Sequence, residues 1–208
     1  MPLEARIQRL SNVAKNRQEG VIVLENIYDP HNAQAVVRTA EFFGFQTIYL
    51  IFEEGRGFNP RKVGKHSSSH ARKWVDYEEF DSTQACFDKL KQEGYDIIAT
   101  MLDENAEDIF ESKIQQKNKK IALLFGNEKE GVSELAAKLA DRKLYIPQRG
   151  MVQSLNLSVT AAMCLYELTR ERQELGMDEF LLDEASGEAL AKDFVGRSHP
   201  HTISTSED

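Results

Sequence analysis

The sequence predicts an α/β fold, a mainly parallel sheet flanked by helices. Three observations lead there. Short apolar or β-branched runs such as Val21–Glu25, Thr47–Phe52 and Lys120–Phe125 have the length and composition of buried strands. Helical segments separate such runs, several closed by a glycine, as at Gly44, Gly94 and Gly176. The strand cores are apolar, as parallel strands covered on both faces require.

Taken in order, a helical extension over residues 1–20 precedes a first strand at Val21–Glu25. Asp29-Pro30-His31-Asn32 forms a turn, and Ala33–Phe43 reads as a helix ending at Gly44. Thr47–Phe52 is a strand, Glu53–Asn59 a loop, and Lys73–Asp76 a short strand. Ser82–Glu93 is amphipathic and stops at Gly94; Tyr95–Met101 is a strand; residues 103–119 are polar, with room for one or two helical turns. Lys120–Phe125 is a strand, Ser133–Ala140 a helix that Ser133 can cap, and Leu144–Pro147 a strand. Asn156–Leu175 is the last strong helix. The expected organisation is an extension at 1–20, one domain at 21–176 and an acidic tail at 177–208 whose end, GRSHPHTISTSED, has little to bury and is expected to be disordered.

Composition narrows the function. The chain of 208 residues is 41% hydrophobic, enough for a full core. It has no apolar run near the ~20 residues of a membrane span, and MPLEARIQRL lacks the apolar stretch of a secretory signal, so a cytoplasmic protein is expected. The net charge of −8 is unevenly spread: residues 1–73 hold 11 Lys/Arg against 7 Asp/Glu, and residues 174–208 hold 2 against 9. A polyanionic partner is therefore compatible with the acidic total. Cys86 and Cys164 fit two buried, reduced thiols better than a disulfide.

Four segments carry candidate chemistry. In PHNAQAVVRTAEFFGF, Asn32 stands near a helix start and Arg38 lies six residues on among Val, Ala and Phe; the plain alternative is a capping Asn and an exposed Arg. Beside buried surface, a cation takes a partner or an anionic ligand. In LLFGNEKEGVS a strand runs into Gly126-Asn127-Glu128 and then Gly131, at the carboxyl end of a strand where open sheets bind ligands. The alternative is a surface turn before a capped helix. In YIPQRGMVQSLNLSV a strand is stopped by Pro147, a loop turns on Gly150, and Ser154, Asn156 and Ser158 recur at period two, more polar groups than one cap needs. Finally, Arg56, Arg61, Lys62, Lys65, His66, His70, Arg72 and Lys73 form a basic run with no acid among them, suited to RNA phosphates or to plain solvation. His66 and His70 lack a third ligand, so no metal is expected. The stretch from Gly57 to His66 has six residues between its glycines where a P-loop has four.

The first three segments resemble, in order and spacing, the motifs of the SPOUT-class RNA ribose 2′-O-methyltransferases, and most closely the TrmH-type tRNA enzymes. Asn32 and Arg38 match the first motif. Gly126-Asn127-Glu128 with Gly131 match the second, and Ile146-Pro147 through Gly150, Ser154, Leu155 and Asn156 the third. The likeness spans roughly residues 5–175, and GMVQSLNLSV is similar to the tRNA branch in particular. The resemblance implies a sheet whose C-terminal segment forms a deep trefoil knot (the SPOUT fold), a homodimer with each site near the subunit interface, and S-adenosylmethionine as methyl donor. It implies Thr100, Gly126, Ile146 and Leu155 as cofactor contacts, and Arg38 as catalytic with Asn32, Glu128, Ser154 and Asn156 around it. The implied substrate is tRNA, at the D-loop guanosine of position eighteen. The acidic tail departs from that pattern and leaves ribosomal RNA as an alternative substrate; a non-catalytic RNA-binding protein of the same fold is the alternative from a different class.

Overall fold

Val21 and Val23 enter one layer of the core, while Ile22 and Leu24 enter the other. That makes the first strand a central one, apolar on both sides, and the rest of the chain is laid around it. The computed structural model describes residues 3–53, 57–60, 71–152 and 154–198. Its elements are α1 (Leu3–Lys15), β1 (Gln18–Glu25), α2 (Pro30–Phe42), β2 (Phe45–Ile51), a 3₁₀ turn (Ala71–Lys73), β3 (Asp76–Phe80), α3 (Thr83–Gln92) and β4 (Tyr95–Thr100). There follow β5 (Glu107–Asp108), β6 (Lys120–Phe125), α4 (Glu134–Leu139), β7 (Arg142–Tyr145), α5 (Leu157–Leu175), a second 3₁₀ turn (Met177–Phe180) and α6 (Glu184–Ser198).

All seven strands pair in parallel, in the order β3-β2-β1-β6-β4-β7-β5. One core layer joins Ile22, Leu24, Leu123 and Phe125 of the sheet to Val36 and Val37 of α2 and to Ala161, Leu165 and Leu168 of α5. The other joins Val21, Val23, Ala122 and Leu124 to Cys86, Phe87 and Leu90 of α3 and Ala136 of α4. Cys86 and Cys164 therefore lie in different layers, both free, and burial pushes each thiol up to about 12.

Several details differ from the sequence reading. The first strand begins at Gln18, inside the stretch assigned to the N-terminal extension. Lys73–Asp76 is not a strand; a 3₁₀ turn ends at Lys73 and β3 follows with the polar sequence DYEEF. Residues 103–119, for which at most one or two helical turns were expected, contribute the unforeseen two-residue strand β5. Asn156–Leu175 is followed by a further helix, α6, which packs on α1: Leu190 and Phe194 enclose Ala14, and Trp74 meets the Phe194 ring edge-on. Arg197 donates to the carbonyls of Lys73 and Val75 and pairs with Asp76 and Asp193. The acidic segment is thus folded through Ser198, so Gly196, Arg197 and Ser198, part of the end expected to be disordered, are helical; residues 199–208 lie outside the described residues.

Candidate active site

The strand order reverses at β1. From there the chain moves outward to β2 and β3, then crosses to β4 and β6 on the other side. Such a switch point leaves a crevice at the carboxyl ends of the two strands flanking it, here β1 and β6. The turns that leave those strands are pinned to one another. Asn127 Nδ2 donates to the carbonyl of Asn26 at 2.6 Å, and Asn26 adopts a positive φ of 52°. The turn after β6 closes through Asn127 and Gly131, which exchange both backbone hydrogen bonds at 2.8 Å. A Cβ at Gly126 would overlap the main chain of Gly131 and Val132, so only glycine fits there.

This framing brings the three motifs into contact. The Glu128 carboxylate accepts from the backbone N–H of Tyr28 at 2.9 Å and of Asp29 at 3.2 Å, and from Asn32 Nδ2 at 2.9 Å. Asn32 Oδ1 in turn accepts from Asn156 Nδ2 at 3.3 Å. The side-chain series Glu128–Asn32–Asn156 thus runs from the turn after β6, through the first turn of α2, to the start of α5. The capping alternative for Asn32 does not hold, because Asp29 caps α2 by accepting from His31 N–H at 2.8 Å. Asn156 caps α5: its Oδ1 accepts from Ser158 N–H at 2.9 Å and Ser158 Oγ at 2.7 Å, while its Nδ2 serves the site.

Other predicted residues stand around this series. Arg38 is exposed although Val36, Val37 and Ala40 beside it are buried, and it has no hydrogen bond or ion pair among the described residues. It sits roughly 9 Å further along α2 than Asn32, at 1.5 Å per residue. Ser154 and Leu155 are exposed on the loop before α5. Thr100, Gly126 and Ile146 lie at or just beyond the carboxyl ends of β4, β6 and β7, neighbouring strands in which Thr100 pairs with Phe125 and Leu144. Thr100 Oγ1 donates to the Leu124 carbonyl at 3.0 Å, and Ile146 packs on the core. Of the basic run, Arg72 is half-buried in the 3₁₀ turn; Arg56, Arg61, Lys62 and Lys65, like His66 and His70, lie outside the described residues. Among the described residues no cluster of three or more His, Cys, Asp or Glu could hold a metal. No helix of the described residues is long and apolar enough to cross a membrane.

The sequence reading missed Asp29 as the cap, Asn127 as the clasp between the two turns, and Glu25. The buried Glu25 carboxyl accepts from Thr83 Oγ1 at 2.8 Å and from Ser133 Oγ and N–H at 2.7 and 2.9 Å, tying the starts of α3 and α4 to the end of β1. The signal for Asp29 was legible, since Asp-Pro is a standard helix opening. Glu25 and Asn127 gave none, because their partners are distant in sequence. An open groove of about 730 Å³ between α1 and the end of α2, lined by Arg9, Asn12 and Phe42, holds none of the motif residues.

Comparison with known proteins gives concordant results. Residues 19–166 match the model of the SpoU rRNA Methylase family. The chain is 39% identical over 177 residues to the tRNA (guanosine(18)-2′-O)-methyltransferase of Thermus thermophilus, covering 84% of this chain and 87% of that protein. It is 36% identical over 176 residues to the enzyme of the same name from Aquifex aeolicus, covering 84% and 81%. Among solved structures, the A. aeolicus TrmH/SpoU tRNA modifying enzyme superposes with a TM-score of 0.82 at 32% identity, covering 94% of this chain and 98% of that one.

Proposed function

Because the chain belongs to the SpoU rRNA methylase family, we propose that it is a tRNA ribose 2′-O-methyltransferase that uses S-adenosylmethionine and acts on the guanosine at position eighteen, as the names of its relatives state for them. The observation that carries this reading is the Glu128–Asn32–Asn156 series, which joins three sequence-distant motifs at the switch point of the sheet.

The residues fit the cofactor. Gly126 follows β6 beside the end of β4, where Thr100, Ile146 and Leu155 would complete the contacts. When bound, S-adenosylmethionine supplies an already activated methyl group. What remains for the protein is alignment, charge stabilisation and removal of one proton from the 2′-hydroxyl. Glu128, held by two backbone N–H groups, fixes Asn32, and Asn32 and Asn156 present amide groups to the ribose beside Ser154. A guanidinium offers hydrogen-bond donors and no acceptor, which makes Arg38 a poor general base. Exposed and without a protein partner among the described residues, it is free to hold an RNA phosphate and the charge developing on the 2′-oxygen.

The same reading extends to the assembly. The outer face of α5 exposes Val159 and Tyr166, and with the neighbouring Phe110 it borders a groove of about 380 Å³. That stripe at helical spacing supports a homodimer, with a second copy of the chain on α5. The order β6-β4-β7, which carries the chain across β4 before it returns to α5, is in keeping with a C-terminal trefoil knot. Arg72, with Arg56, Arg61, Lys62 and Lys65 of the same basic stretch of sequence, would receive the tRNA backbone, and such a substrate calls for a cytoplasmic enzyme.

The test is methyl transfer from labelled S-adenosylmethionine to an unmodified tRNA transcript, with the modified nucleotide mapped. Incorporation at the 2′-oxygen of guanosine 18 is expected; a product on ribosomal RNA alone would overturn the substrate. Arg38→Ala is expected to lower turnover about a hundredfold or more with cofactor affinity and melting temperature unchanged. Normal turnover would remove Arg38 from its role.

A further inference from the structure

The turn between β1 and α2 is held at nearly every residue. Its first carbonyl, that of Asn26, is bound by Asn127; Ile27 is buried; Tyr28 and Asp29 give their N–H groups to Glu128; and the Asp29 side chain caps α2. From this pinned turn the Tyr28 ring projects outward, 62% exposed. Lys129, from the facing turn, sets its ammonium 4.1 Å from the ring centroid and is itself exposed. A large aromatic side chain left in solvent gains nothing for folding. Here its main chain is bonded to the same carboxylate that orients Asn32, so the backbone that carries the ring is fixed at the edge of the site. The cation against the ring steadies it and places positive charge where a phosphodiester would pass.

We infer that Tyr28, steadied by Lys129, is a stacking platform for the base of the nucleotide whose ribose is methylated. The inference rests on the proposed RNA substrate and goes beyond it by naming what receives the base. A ribose lying against the Asn32–Asn156 amides has its own base one glycosidic bond away, and Tyr28 is the exposed ring held to that series. The base must leave the tRNA fold to expose its 2′-hydroxyl, and an aromatic face offsets part of the lost stacking. Lys129 then lies beside the adjoining phosphate.

The experiment compares wild type, Tyr28→Ala, Tyr28→Phe and Lys129→Gln in methyl transfer to full-length tRNA transcript. Binding of tRNA with 2-aminopurine at position eighteen is followed in parallel by fluorescence. Tyr28→Ala is expected to raise KM for tRNA about tenfold or more, the usual worth of one base–aromatic stack, with cofactor affinity unchanged. Tyr28→Phe, which keeps the ring, should stay within about twofold of wild type, and Lys129→Gln should raise KM with a weaker salt dependence. The 2-aminopurine should be quenched by wild type and Tyr28→Phe but not by Tyr28→Ala. Unchanged KM and quenching in Tyr28→Ala would overturn the platform, as would an equal loss in Tyr28→Phe. Failure of the wild type to methylate tRNA would strike the functional reading itself, a result distinct from an active wild type with an indifferent Tyr28→Ala.

Discussion

Glu25 and Glu128 stand at the carboxyl ends of neighbouring strands, β1 and β6, and each accepts three hydrogen bonds. Their surroundings set them apart. Glu25 is 1% exposed, and its partners, Thr83 and Ser133, belong to the first turn of α3 and the cap of α4. Glu128 is half-buried, and its partners are the backbone of an exposed turn and an amide that reaches onward to α5. One carboxylate is spent on holding two helices against the sheet, while the other holds a surface that faces solvent. Similar hydrogen-bond chemistry therefore serves architecture where it is enclosed and chemistry where one side is left open.

The contrast is sharpest in the loss each residue should cause. Glu25→Ala strands the buried Thr83 hydroxyl and two part-buried donors of Ser133 and should cost about 3 kcal/mol, read as a lower denaturation midpoint; the protein that still folds should retain its turnover. Glu128→Ala should cost about 1–2 kcal/mol, since two of its donors can turn to water, while methyl transfer falls on the order of a hundredfold because Asn32 loses its anchor. Equal stability losses, or an active Glu128→Ala, would break the distinction. A third carboxylate gives the lower bound. Glu107 is held below the usual carboxylate range by its hydrogen bonds from Arg142, at 3.0 and 2.6 Å, but is partly open to solvent. Its folded pKa is depressed, so the pair stabilises at neutral pH and that stabilisation is lost as pH falls through the depressed value. Glu107→Gln should therefore differ from wild type by less than about 1 kcal/mol at pH 7, and the two should converge in acid. A gap that widens toward low pH would contradict this assignment.

How far the fold was legible depended on where a segment sits in the sheet. The central strands announced themselves because burial on both faces demands uninterrupted apolar sequence, as in Lys120–Phe125, whose limits the structure reproduces. The edge strand β3 is covered less, its sequence DYEEF is acidic, and the reading settled on residues just before it. At the other edge, β5 spans two residues and has no period to detect. Helix α6 was hidden by its two glycines and its charge; Gly187 packs close over Lys15 of α1, a contact between chain ends that no local pattern encodes. The motif residues were legible individually, from turn chemistry and resemblance. Their hydrogen bonds were not, since Asn32 is separated from Glu128 and Asn156 by 96 and 124 positions.

The placement of Cys86 and Cys164 in opposite layers has a practical consequence. Each half of the interior carries its own sheltered thiol, so alkylation times at the two cysteines would clock the opening of the α3/α4 side and the α2/α5 side separately within one unaltered molecule. Matching times would mean that the halves part together, whereas a slower Cys164 would identify the layer containing α5 as the last to yield.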